Sequence, residues 1–219
     1  MAMYEQVLGQ RRKDKNKIYS LHEPNTACIA KGKAHKQYEF GSKVTFVKGS
    51  KSGVILGAYT VTANPHDSKL VAPTLQQCQR ILSQAKGKMP KVAIADRGYR
   101  GVKEVEGVQI IIPNRSKKNK TNYQKQKARK QFRGRAGIEP VIGHIKHDHR
   151  MIKNYLKGTI GDVVNALCAA MGFNIKKRLN QIASFHFLLY KNIFFMIAHS
   201  NSKPDFPKFH LHQISKLAS

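Results

Sequence analysis

Two short apolar runs constrain this chain most. KVAIAD (91–96) and VQIIIP (108–113) are compact, apolar and bounded by turn residues in an otherwise polar sequence. Runs of that length suit buried strands better than helices. The first ends on an acid, Asp96, and the second is stopped by Pro113. A strand of this kind is expected to be covered on both faces. Upstream, YEFGSKVTFVKG places Tyr38, Phe40, Val44 and Phe46 at period two around a glycine, and GVILGAYTVTAN is rich in β-branched and aromatic residues. The intervening KGSKSG predicts an antiparallel hairpin. Helical spacing follows over about 72–86, where Leu75, Cys78, Gln79 and Leu82 share a face. Further helices are expected over about 122–133, 138–150 and 160–180, the last with Val163, Val164, Leu167, Ala170, Met171 and Ile175 on one side. The order of hairpin, helix, two strands, basic segment and helices predicts a mixed α/β or α+β domain with helices against a sheet.

The flanks are less regular. Residues 4–16 are polar and basic and read as the remnant of an upstream region, residues 1–16. Residues 17–30 suit an extended segment, and KGKAHKQ after them is basic and turn-like. Ile182–Ala198 is apolar but interrupted by His186, Lys191 and Asn192. It is too short and polar to span a bilayer, so a helix packed on the core or on a partner is expected. Beyond about 200, scattered Pro and His predict a poorly ordered tail. The main domain is thus expected over 17–180, with a very basic segment at 115–133.

Charge narrows the function. Lys and Arg total 40 against 12 Asp and Glu, a formal net charge of +28. A polyanion is the natural partner, because each cation set on a phosphate releases a condensed counterion. A ribosomal protein, a membrane-surface binder or a nonspecific basic protein would share that charge. Cys28, Cys78 and Cys168 lie far apart, without a C-x-x-C pair. That usage fits a reducing cytoplasm and argues against a cysteine zinc site. The first residues carry no apolar secretory core.

So few acids can be weighed singly. Glu5, Asp14, Glu104, Glu106 and Asp205 lie in polar surroundings and read as solvated. Asp96 stands where open α/β sheets place active sites, at the carboxyl end of a strand. It would equally serve to cap the turn through the amides of Gly98 or Tyr99. Glu139 lies among Phe132, Arg135, Ile138, Ile142 and Lys146. On a continuous helix, positions 132, 135, 139 and 146 fall near one stripe. The plainer alternative is an ordinary Arg–Glu pair, and Pro140 would start a new helix at Glu139, leaving Arg135 in a preceding turn. A carboxylate facing DNA needs a cation between them. Mg²⁺ takes a few carboxylate oxygens and completes its shell with water and phosphate, and a pair of such ions supports in-line phosphoryl displacement. In GHIKHDHR, His144, His147, Asp148 and His149 suit either a transition-metal site or histidines near phosphate. Tyr99 and Arg100, beside Asp96, suit substrate contact or loop packing.

At these residues the chain resembles a known family. FRGRAGIEPVIGHIK is similar to the Y-(2)-R-(3)-E-(6)-K signature of bacterial insertion-sequence transposases of the DDE class, with Phe132 in place of the tyrosine and Arg135, Glu139 and Lys146 at matching positions. VAIADRGYRG resembles the block that holds the family's second catalytic aspartate, here Asp96. KIYSLHEPNTACIAKGKAHKQYEFGSKV and NPHDS resemble segments of the insertion sequence 5 group, and the likeness spans about residues 10–180. The resemblance implies an RNase H-like mixed sheet flanked by helices, with a helical C-terminal part. It implies Mg²⁺ or Mn²⁺ held by Asp96 and Glu139, hydrolysis at the element ends, and attack of the 3′-hydroxyl on target DNA. Arg135 and Lys146 would contact DNA phosphate or orient the glutamate. Arg97, Arg100, Lys117, Lys118 and Lys120 complete the expected DNA-binding set. The implied partners are transposon-end and target DNA and further copies of the chain, with no membrane, at the nucleoid of the bacterial cytoplasm.

One departure stands out. The family's first aspartate belongs on a strand before the hairpin, near or before residue 17. Asp14 and Glu23 lack strand context there, and Asp67 follows the hairpin. Glu23 and Asp67 are the candidates for a third metal ligand. The family's N-terminal DNA-binding region is also missing. The expectation is an N-terminally truncated copy, with a catalytically inactive fragment that binds DNA or co-assembles with a full-length transposase as the alternative. A nucleic-acid-binding protein unrelated to transposition is the third reading, favoured if Asp96 and Glu139 lie apart.

Overall fold

The computed structural model describes residues 2–34, 36–113 and 121–200. Its seven strands and five helices make a mixed α/β architecture. β1 (Ala27–Lys33) and β2 (Lys36–Gly41) pair antiparallel. The expected hairpin around KGSKSG is β3 (Lys43–Lys48) with β4 (Ile55–Val61), in register from Lys43↔Val61 to Val47↔Gly57 and shifted at Lys48. Gly41, with φ of 135°, divides the alternation seen across residues 38–46, so Tyr38 and Phe40 belong to the first hairpin and Val44 and Phe46 to the second. A third sheet has the order β5 (Val92–Ile94), β7 (Val108–Ile111), β6 (Glu104–Val105), with β5 parallel and β6 antiparallel to β7. The described strands therefore form three small sheets, where one sheet was expected.

Two apolar clusters flank the second hairpin. Ile55 and Ala58 of β4 meet Ile145, Ala169 and Ala170, with Phe46 against them. Val71 and Leu75 meet Val108 and Ile110 of β7, with Val47 against them. Successive side chains on a strand point to opposite faces, so neighbours Phe46 and Val47 serve different clusters. The expectation for KVAIAD needs correction. β5 is an edge strand, with Val92 44% and Ile94 38% exposed, whereas Val108 and Ile110 on the central β7 are buried. An edge strand lacks the neighbour that would cover its outer side.

α2 (Val71–Gln84) follows a 3₁₀ turn at Asp67–Leu70. It buries Val71, Thr74, Leu75 and Cys78, an i, i+3, i+4, i+7 stripe. That face is rotated from the expected one, and Gln79 is exposed. Gln77 turns to the hairpin instead, and the Ala58 amide donates to its Oε1 at 2.9 Å. α3 (Asn122–Ala136) is fixed at its start by a capping box between Thr121 and Gln124. α4 (Glu139–His147) follows at once. α1 (Ala2–Gly9) is a helix that the polar reading of residues 4–16 missed.

α5 runs from Gly158 to Ser200. Both Glu23 carboxylate oxygens accept from the Gly158 amide, at 3.0 and 3.1 Å, which satisfies one of the orphan donors of a helix start. The helix buries Ala170 of the expected stripe but not its larger members. Ala166, Ala169 and Ala170 are inside, while Val163, Val164, Leu167, Met171 and Ile175 are exposed. Small residues permit close approach, and the bulky ones then lie outside that contact. Among the described residues the chain divides into two units, the first ending at Ile175 and the second beginning at Lys176. In the second, the described part is helical to Ser200, and Ile182, Phe185, Leu189, Ile193 and Phe195 are exposed. No helix among the described residues is long and apolar enough to cross a membrane.

Candidate active site

Asp96 directly follows β5 and opens a 3₁₀ turn at Arg97–Tyr99. Its Oδ1 accepts from the Arg97 amide at 2.7 Å, so it caps the turn, through a different amide from those expected. Glu139 is the first residue of α4, with Pro140 beside it in the first turn. A carboxylate there is favoured by the positive end of the helix dipole. The helix is interrupted between Ala136 and Glu139, as Pro140 suggested, and the preceding turn that holds Arg135 is the last turn of α3.

These elements converge on one guanidinium. Arg135 Nη1 lies 2.9 Å from Asp96 Oδ1, and Nη2 lies 2.9 Å from Glu139 Oε1. The arginine side chain is 23% exposed, against 59% for Asp96 and 64% for Glu139. Phe132, one turn earlier, places its ring 5.3 Å from the guanidinium carbon. Nε is buried and, among the described residues, makes no hydrogen bond. The Arg–Glu pair and the turn cap are both present, and one guanidinium contacts both carboxylates.

Asp67 approaches the same loop from the other side. It opens the turn after β4, and its Oδ1 lies 2.7 Å from Lys43 Nζ. A Cβ on Gly98 would collide with the Asp67 carboxylate, so the glycine permits the approach. Tyr99 is half-buried. Burial chiefly pushes its hydroxyl pKa up, a hydrogen bond with Thr45 opposes this, and the charges of Asp67 and Asp96 add to the rise. Glu23, the other candidate ligand, is engaged at the start of α5.

Lys146 is half-buried in the last turn of α4, and Arg97 and Arg100 are exposed at the 3₁₀ turn. Lys117, Lys118, Lys120 and Asp205 lie outside the described residues. In the histidine cluster, His144 Nδ1 lies 2.9 Å from Asp148 Oδ2, and His149 packs edge-on to Phe173. Among the described residues no group of three His, Cys, Asp or Glu is gathered closely enough for a metal ion. The exposed oxygens of Asp96 and Glu139 nonetheless suit a hard divalent ion, which commonly needs only one or two carboxylates plus substrate phosphates. Lys43, Thr45 and Gly98 also shape the site. Alternation on β3 made Lys43 and Thr45 one polar face, but nothing in the sequence indicated what that face meets.

The model of the transposase DDE domain family matches residues 11–175. The chain belongs to that family, whose members carry out transposition-related DNA cleavage and transfer and typically use divalent metal ions. DNA is the partner the domain implies. No curated protein and no solved structure matches the chain.

Proposed function

We propose that this chain is the RNase H-like catalytic domain of a DDE transposase of the insertion sequence 5-like group. It uses Mg²⁺ or Mn²⁺ to cleave element ends and transfer them to target DNA. The observation that carries the proposal is the Arg135 fork, which draws Asp96 and Glu139 to one place from two separate elements. Asp96 and Glu139 would hold the metal, and Asp67, against the Asp96 loop, is the nearest candidate for a third carboxylate. When bound, the ion supplies Lewis-acid stabilisation of the phosphoryl group and activates the attacking hydroxyl or water. The chain's cations do the rest. Lys146, Arg97 and Arg100 fix the phosphate backbone and align the attacking oxygen with the bond to be broken, and Arg135 adds a planar fork suited to phosphate. Copies of the chain assemble on the paired ends.

The absence of a three-carboxylate group among the described residues favours a second reading. In it, the chain binds DNA or joins a full-length transposase without cutting. The experiment is Mg²⁺-dependent nicking of element-end DNA by wild type, Asp96→Asn and Glu139→Gln. A loss of at least about a hundredfold in each variant is expected, the scale of losing a preorganised electrostatic contact. Equal nicking by all three would sink the assignment. DNA binding without nicking by any would leave the second reading.

A further inference from the structure

Arg135 pairs with the same two carboxylates that the proposed function assigns to metal, and the inference below rests on that assignment. The two ion pairs are equal in length, at 2.9 Å, and each uses a different Nη. The fork therefore ties the loop after β5 to the start of α4. Its remaining support is weak in direction. The Phe132 ring lies 5.3 Å away, and buried Nε has no hydrogen bond to hold the group at its root. Among the described residues, the hydrogen bonds at the guanidinium are the two to the carboxylates.

A guanidinium and a divalent ion compete for these oxygens. They carry charge of the same sign, so each disfavours the other within a few ångströms. DNA phosphate offers the arginine an equally well-matched acceptor, since the planar fork takes either anion in the same bidentate way. The approach is prepared by α3, which ends at Ala136 and carries Lys125, Lys127, Arg129, Lys130 and Arg133. A phosphate drawn to that helix arrives where Arg135 is.

We propose that Arg135 is a phosphate-released latch on the Asp96–Glu139 pair. Without DNA, the guanidinium neutralises both carboxylates and holds off the metal. Phosphate draws the guanidinium away and leaves both oxygens to the ion. Metal and DNA binding are then linked, each strengthening the other by the same factor. The site thereby loads chiefly on its substrate.

The test reads Mn²⁺ binding directly, from the electron paramagnetic resonance signal of free Mn²⁺, on the full chain with and without a mixed-sequence DNA duplex. The Asp96→Asn/Glu139→Gln double variant supplies the background for Mn²⁺ held by DNA or by other groups. Without DNA, Arg135→Gln is expected to bind Mn²⁺ about tenfold tighter than wild type, within the usual range of coupling between sites. The duplex should tighten wild type by a similar factor and change Arg135→Gln little. Arg135→Lys keeps the charge but loses the fork, so it should fall between the two. If Arg135→Gln does not fold by circular dichroism, Arg135→Lys carries the test, and Mn²⁺ affinity and DNA response equal to wild type overturn the latch. Mn²⁺ affinity unchanged or lowered in folded Arg135→Gln, with the double variant still defective, overturns the latch and leaves the site standing. If the double variant binds Mn²⁺ as wild type does, the site assignment fails and the latch falls with it.

Discussion

At Gly98 a single hydrogen atom decides how two acids share a loop. The Asp67 carboxylate occupies the space a Cβ would need, while its Oδ1 pairs with Lys43. Gly98→Ala is therefore expected to push Asp67 off the loop and to destabilise the fold by about 1–3 kcal/mol, the usual cost of overpacking. Urea unfolding measures this. Combining it with Asp67→Ala should add less than the sum of the two single effects, because both remove the same contact. Full additivity would show that the two residues do not share that contact. Local spacing made the Arg135–Glu139 pair legible, four residues apart, but left Asp96 open between an active-site acid and a turn cap, and it was the family resemblance that singled out both acids. Lys43, Thr45 and Gly98 act across separations of 24, 54 and 31 residues, toward Asp67, Tyr99 and Asp67 respectively. Local pattern holds no record of such meetings.

At the level of elements, type was more legible than face. The hairpin at KGSKSG follows from turn residues between β-branched runs, and its pairing is as expected. α2 and α5 were recognised as helices, but of their expected faces only Leu75 and Cys78 on α2 and Ala170 on α5 are buried. Periodicity finds a stripe of large apolar residues, whereas α5 buries alanines, which such a count weighs lightly. KVAIAD shows the opposite fault, since apolar content implied a covered strand where the topology supplies an edge. Beside the apolar cluster, a polar pair ties α5 to the second hairpin. Asn174 accepts from the Ile55 amide at 2.7 Å and donates to its carbonyl at 2.9 Å, as a neighbouring strand would. Asn174→Leu should leave both backbone groups unsatisfied at a cost of about 1–3 kcal/mol for each one fully shut from water. Amide hydrogen exchange at Ile55 is the direct measurement, and unchanged protection would show that the pairing is not needed there.

Across the whole molecule the excess of positive charge dominates, with 40 Lys and Arg against 12 acids. If that charge is spent on phosphate, the logarithm of the DNA-binding constant should fall with the logarithm of salt concentration at a slope of about −5 or steeper, as for some six or more phosphates neutralised. A slope near −1 would mean that most of these cations never meet the backbone. The charge was readable from composition alone, whereas the closure of the fold was not. Glu23 holds Gly158, Ser42 holds Asp162, and Ile55 holds Asn174, across 135, 120 and 119 residues. Such ties give slow, late-closing topologies. A ribosome adds about 5–20 residues each second, so β4 is synthesised on the order of ten seconds before its Asn174 partner exists. During that interval the nascent hairpin displays Ile55 and Ala58 without the α4 and α5 residues that later cover them. Translation speed and holding chaperones, rather than final stability, would then set how much of this chain reaches its native form.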